Sequence, residues 1–231
     1  MSINLLNSRV IKIIAIVAML VDHIGMILFP EIDALRIIGR IAMPLFCFLI
    51  AFGATKTRSV PKYLLRLSIL MVISQFAINW AANGNPFIFT ELYVFFSLAL
   101  GVLAIYLIKK SPHPILAVFS VFLICALAFS LNFAITVDYH MAGILLIVLF
   151  HIGLRYSLNI FKITALLSLV VFNLAMMIFS HWWLQWYSMF AIVIITLFTD
   201  KRIKQHKVEK WVFYVFYPLH LVLLYIIKML I

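Results

Sequence analysis

The stretch Val10-Ile-Lys12-Ile-Ile-Ala15-Ile-Val-Ala18-Met-Leu-Val-Asp22-His23-Ile-Gly25-Met-Ile-Leu-Phe29 decides how this chain is read. Its apolar run is about as long as a helix needs to cross the hydrocarbon core of a bilayer. An acid and a histidine stand side by side inside it. One ionisable group at the bilayer centre costs about 3 kcal/mol, so two adjacent ones need partners or a function. The chain holds only 7 acidic residues and 7 histidines among 231, which makes their adjacency informative. The run is too long for the apolar core of a signal peptide and no small-x-small cleavage site follows it, so a retained helix is expected.

Outward from this helix the same character continues. The chain is 67% hydrophobic and 11% charged, with a mean hydropathy of +1.20. A soluble globular domain is about half apolar and about a quarter charged, so that class is excluded. A net charge of +11 would suggest nucleic acid in a soluble protein. In a membrane chain it reads as topology signals and contact with anionic lipid headgroups, and no nucleic-acid partner is expected. Cys47 and Cys125 both fall inside apolar runs, so there is no disulfide framework. Nine apolar segments can be marked off, at 10–29, 35–53, 61–80, 92–108, 114–133, 138–155, 160–179, 184–198 and 211–229. Pro30, Pro61, Pro86, Pro112 and Pro114 punctuate the joints between them. With no internal repeat and no low-complexity tract, the sequence predicts an all-α, polytopic membrane protein built as one domain over 1–231.

The charges orient it. With the N-terminus in the cytoplasm and nine alternating spans, the inner ends carry Arg9, Lys12, Lys56, Arg58, Lys62, Arg66, Lys109, Lys110, Arg155, Lys162 and the cluster from Lys201 to Lys210. Only Arg36, Arg40 and Lys228 fall outside, a strong positive-inside bias that leaves the C-terminus outside. The acids do the reverse: Glu31, Asp33, Glu91 and Asp138 lie at outer ends, and Asp22 in the outer half of the first span.

Three spans then supply a polar constellation. In the first, His23 returns to the face of Lys12 after eleven residues, displaced by roughly 16 Å along the axis. Ala15, Ala18 and Gly25 give the stripe beside Asp22 a small surface that can approach another helix closely. In the second, Arg36 and Arg40 share one face. Arg36 can snorkel outward, whereas Arg40 is deeper, takes Asp22 as its expected counter-ion, and sits just above a kink expected at Pro44. In the ninth, Tyr217 and His220 flank Pro218, whose missing N–H frees a carbonyl acceptor at mid-membrane. Asp22–Arg40 also reads as a structural pair, and a lone intramembrane histidine as a helix–helix hydrogen-bonder. Two histidines at comparable depth favour a site. Supporting polar groups are Ser74, Gln75, Asn79, Glu91, Ser97, Asp138, Tyr139 and His140, all of which also read as interhelical hydrogen bonds. Trp182, Trp183 and Trp186 read as an interfacial belt. His113, His181 and His206 lie in loops without metal-ligand spacing, so no metal is expected, although His23 and His220 can act as ligands across helices.

These residues fall in blocks that resemble the TraX family. The blocks are Val10 to Gly25, Gly39-Arg40-Ile-Ala-Met-Pro44-Leu-Phe46, Tyr63-Leu-Leu-Arg66-Leu, Val94-Phe-Phe-Ser97-Leu-Ala-Leu-Gly101, Asp138-Tyr139 and Phe216-Tyr217-Pro218-Leu-His220-Leu221, spread along the whole chain in the family's order. Gln75-Phe-Ala-Ile-Asn79 and Tyr93 depart from the family's pattern. The family is similar to the broader integral-membrane acyltransferases, whose first helix carries an arginine, ten residues and a histidine. Here the same spacing reads Lys12 to His23.

The resemblance implies an acyltransferase of the bacterial cytoplasmic (inner) membrane that moves an acyl group from cytosolic acetyl-CoA to an amine or hydroxyl at the outer face. The acceptor it implies is a pilin N-terminus, as for the family's prototype in conjugation; the residues fit a lipid-linked or envelope glycan as well. It implies His23 as general base, with Asp22, His220 and Arg40 as further catalytic candidates. Lys12, Arg9 and Arg66 would meet the CoA phosphates. Arg36, Gln75, Asn79, Ser97, Asp138 and Tyr217 would support the site. Two rival classes use the same residues: a proton-coupled transporter, and a non-catalytic membrane assembly factor.

Overall fold

The computed structural model describes residues 6–87, 91–180, 183–200 and 207–231. Lys201, Arg202, Lys204, His181, His206 and Trp182 lie outside the described residues. The chain is helical. In order it forms α1 (Ser8–Ile27), α2 (Asp33–Gly39), α3 (Ala42–Lys56), α4 (Val60–Asn83), α5 (Val94–Lys110), α6 (Pro114–Leu131), α7 (His140–Gly153), α8 (Leu158–Ser180), a 3-10 helix (Trp183–Phe190), α9 (Ala191–Thr196) and α10 (Lys207–Leu230). Five helical stretches are long and apolar enough to cross a membrane: Ser8–Ile27, Asp33–Lys56, Val60–Ala81, Pro114–Leu131 and Asn159–Ser180. This is a helical membrane protein. The one exception to an all-α fold among the described elements is a short parallel ladder, β1 (Glu91–Leu92) with β2 (Thr136–Val137).

Local sequence explains the ends. Asn7 caps α1, its side-chain oxygen accepting from the backbone N–H groups of Arg9 and Val10 at 3.0 and 3.1 Å. Pro114 opens α6, where a missing N–H removes no hydrogen bond. The second apolar segment is not one kinked helix, as its sequence suggests, but two helices separated at Arg40-Ile41. Pro44 explains the break: it cannot donate to the carbonyl of Arg40, and its ring clashes with that group, so α2 ends there and Pro44 sits in the first turn of α3. The segment read as a helix over 184–198 begins instead as the 3-10 helix.

The contacts group the chain into two compact units. The first comprises Met1–Phe46, Val72–Ile88 and Trp183–Ile231. Within it α1 packs on α2 and on α10, and the 3-10 helix packs on α2 and α9. Two glycines bring α1 and α2 together. A Cβ at Gly25 would lie 2.8 Å from that of Leu35, and one at Gly39 would overlap the Asp22 side chain. The buried face of α1 carries Ile11, Ala15, Ala18, Met19, His23, Gly25 and Ile27.

The second unit comprises Cys47–Met71 and Phe89–Trp182. Here α7 packs on α5, α6 and α8. A Cβ at Gly101 would lie 2.5 Å from Ile147 Cδ1, which sets the close approach of α5 to α7. Ser97 Oγ donates to the Asp138 carbonyl at 2.5 Å and ties the start of α5 to the strand leading into α7. Tyr139 and His140 follow with φ of 59° and 42°. Left-handed backbone is strained for side chains of this size, and here the Tyr139 ring stacks on Phe172 at 6.1 Å.

Candidate functional site

Four buried polar residues of the first unit, His23, Arg40, Gln185 and His220, come from α1, the end of α2, the 3-10 helix and α10. Asp22 and His23 are adjacent in sequence, so their side chains leave α1 about 100° apart. They reach different partners.

Asp22 points to α2. Its Oδ2 accepts from Arg36 Nη1 at 2.9 Å, and its Oδ1 accepts from Arg40 Nη2. Arg36 Nη1 also donates to the Asp22 carbonyl at 3.1 Å. Arg36 therefore shares Asp22 with Arg40 rather than reaching away from the pair. Arg40 is only 2% exposed. Its Nε donates to the Arg36 carbonyl at 3.1 Å and its Nη1 approaches Gln185 Oε1 at 3.5 Å. Both carboxylate oxygens and four guanidinium nitrogens are thus engaged inside the protein.

His23 points to α10. Its Nδ1 lies 2.8 Å from His220 Nε2, and both rings are buried. The rings are tilted, with centroids 5.0 Å apart, and Tyr217 stands edge-on to both. His220 Nδ1 lies 2.9 Å from the Phe216 carbonyl. A carbonyl only accepts, so His220 Nδ1 carries the proton and, in the neutral ring, its Nε2 is an acceptor. His23 Nδ1 must then be the donor between the two rings. That leaves neutral His23 with a lone pair at Nε2.

The other sequence candidates have more ordinary surroundings. Gln75 and Asn79 are buried one turn apart on α4, with Gln75 Nε2 3.4 Å from Asn79 Oδ1 and Asn79 Nδ2 3.4 Å from the Pro86 carbonyl. Arg9 and Lys12 lie in the first two turns of α1. Arg66 belongs to the second unit, is exposed, and donates through Nε to the Lys62 carbonyl at 3.1 Å. Ser97 and Asp138 are also in the second unit, joined by the backbone tie described above. No group of three or more His, Cys, Asp or Glu side chains that could hold a metal ion occurs among the described residues.

Gln185 and His151 are among the buried polar residues with no counterpart in the sequence reading. Gln185 is wholly buried in the 3-10 helix, and its Nε2 has no hydrogen-bond partner although its Oε1 faces Arg40. His151, at the end of α7 in the second unit, is buried with neither ring nitrogen bonded. A lone amide among tryptophans and a histidine closing an apolar helix are the signals they leave in the sequence.

The sequence model described as TraX protein matches residues 7–228. The chain belongs to the TraX family. Among curated relatives, this TraX-family chain is 40% identical over 101 residues to "Uncharacterized protein RP591" of Rickettsia prowazekii, an alignment covering 44% of this chain and 37% of that protein. It is 33% identical over 135 residues to "Probable fimbrial assembly protein FimC, serogroup H1" of Dichelobacter nodosus, covering 54% of this chain and 52% of that one. The matches therefore span about a third and about half of the relatives' lengths. No solved structure matches this TraX-family chain.

Proposed function

We propose that this protein is an acyltransferase of the bacterial cytoplasmic membrane, with nine spans and a cytoplasmic N-terminus, and that it moves an acetyl group from cytosolic acetyl-CoA to an amine or hydroxyl at the outer face. The observation that carries the reading is the His23–His220 pair. One ring holds the other in a fixed tautomer, leaving His23 Nε2 with a lone pair that can act as a base.

In this reaction His23 Nε2 takes the proton of the acceptor N–H or O–H as that atom attacks the thioester carbonyl. The C–S bond then breaks, and the proton on His23 passes to the departing thiolate. His220 Nε2 accepts from His23 Nδ1–H throughout and steadies the imidazolium. Asp22 is the counter-charge that keeps Arg36 and Arg40 within the helix pair, and its saturated oxygens suit that role better than proton transfer. Arg9 and Lys12 supply positive charge at the start of α1 for the CoA phosphates, with the roughly 16 Å rise to His23 matched to an extended pantetheine. The fimbrial assembly protein among the relatives favours a pilin-type N-terminus as acceptor over an envelope glycan.

The test is transfer of labelled acetyl from acetyl-CoA by the purified full chain in nanodiscs, offered a pilin-type N-terminal peptide or a lipid-linked glycan. Label on either acceptor supports the reading and names the acceptor. Absence of both CoA binding and transfer overturns it, and proton-coupled uptake into liposomes without transfer would assign the polar pair to a carrier.

A further inference from the structure

The second unit separates its charges by ends. Lys109 and Lys110 close α5, Arg155 follows α7 and Lys162 lies in the first turns of α8. They stand at one level: Lys109 Nζ donates to the Ala54 carbonyl at 2.5 Å, Arg155 is near enough to repel Lys109, and Gly153 packs on Thr164. The unit's two acids, Glu91 and Asp138, are at the other end, beside the β1–β2 ladder. The basic end therefore has no carboxylate of its own unit to meet its positive charge.

A crevice of about 1010 Å³ runs from this end along the helices. Its floor is the α7 face of Met141, Leu145, Val148 and Ile152, and its wall is α6. At the far end Phe129 meets Phe179 edge-on at 6.1 Å, joining α6 to α8. At the near end the lining turns polar, with Ser111, His113 and Arg155. From Pro114 to Phe129 the wall rises about 22 Å, deeper than the roughly 15 Å of hydrocarbon in one leaflet.

We propose that this crevice binds one anionic phospholipid, its acyl chains along α6 and α7 and its phosphate against Arg155, with His113 and Ser111 beside it. The lining asks for an occupant that is apolar over most of its length and anionic at one end. A free phosphate would leave the apolar length empty. A second copy of the chain would bring its own lysines and arginines to this level, against Arg155. Basic residues between helices at a membrane boundary are the general basis of anionic headgroup recognition. The proposal is independent of the acyl-transfer reading and stands or falls without it.

The test is lipid retention by the purified full chain, read by native mass spectrometry with phosphatidylglycerol and phosphatidylcholine of identical acyl chains. One bound phosphatidylglycerol should be retained roughly fivefold over phosphatidylcholine, the preference expected of one basic residue at a headgroup. Arg155→Gln, at an exposed position, should bring the two lipids to parity. Val118→Trp, on the exposed crevice wall, should expel both while leaving the thermal transition in place. Equal retention of the two lipids by the wild-type chain overturns the proposal, as does a preference that survives Arg155→Gln. Loss of bound lipid as the chain self-associates would assign the crevice to a second copy and also overturn it.

Discussion

Asp22 and His23 are one residue apart on the same helix, yet they occupy opposite chemical situations. Asp22 is saturated: both oxygens are held by arginines of α2, in a contact that Gly39 permits by having no side chain. His23 is half-satisfied: one nitrogen donates to His220, and by tautomer logic the other keeps its lone pair. The 100° that separates neighbours on a helix sends one side chain to the arginines of α2 and the other to His220 of α10. A charged pair is therefore not evidence for catalysis by itself. The group with a remaining valence is the better candidate.

Substitutions sharpen that division. Removing the base should have the largest effect: His23→Ala should lower acetyl transfer by about 10² to 10⁴-fold, against a stability loss of only about 1–3 kcal/mol from leaving His220 Nε2 without its donor, checked by rate and melting on one preparation. Asp22→Leu should do the reverse. It strands Arg40, 2% exposed, and should cost about 3–5 kcal/mol of stability. Arg40→Leu should cost less, because Arg36 remains on the Asp22 carboxylate. Denaturant titration in micelles reads both, and an equal loss in the two variants would contradict the shared-carboxylate arrangement.

The partner ring comes next. His220→Ala leaves the His23 Nδ1–H without an acceptor, a penalty of about 1–3 kcal/mol, and should lower transfer roughly tenfold to a hundredfold. His220→Gln, which returns a carbonyl oxygen near that position, should recover part of it. The smallest effect belongs to Gln185→Leu, which removes a long contact to Arg40 and should cost about 1 kcal/mol of stability without altering the transfer rate. A rate loss there instead would draw the unpaired Gln185 Nε2 into the site.

Much of this was legible in the sequence because membranes penalise polar groups so heavily. The Asp22–Arg40 pair follows from the cost of leaving either alone, and the histidines of the first and last segments were matched by depth alone. What escaped depended on packing. The break at Arg40-Ile41 needs Pro44 to act four residues back, on a carbonyl that a span-length reading treats as interior. Gln185 lies between tryptophans read as an interfacial belt, and only the 3-10 helix lays it against α2. His151 went unread near the end of an apolar run, because its burial comes from the helices packed on α7. The tautomer of His23 is not written in any local pattern, since it is fixed by a carbonyl on α10 acting through a second ring.

The central claim is that His23 Nε2 is the base, and imidazole rescue tests it most directly. Labelled acetyl transfer would be followed in single turnovers with wild type, His23→Gly and Asp22→Asn, each with and without added imidazole. The account predicts near-complete loss in His23→Gly, partial recovery by imidazole at unchanged CoA affinity, and no recovery in Asp22→Asn. Transfer by His23→Gly at the wild-type rate would contradict it.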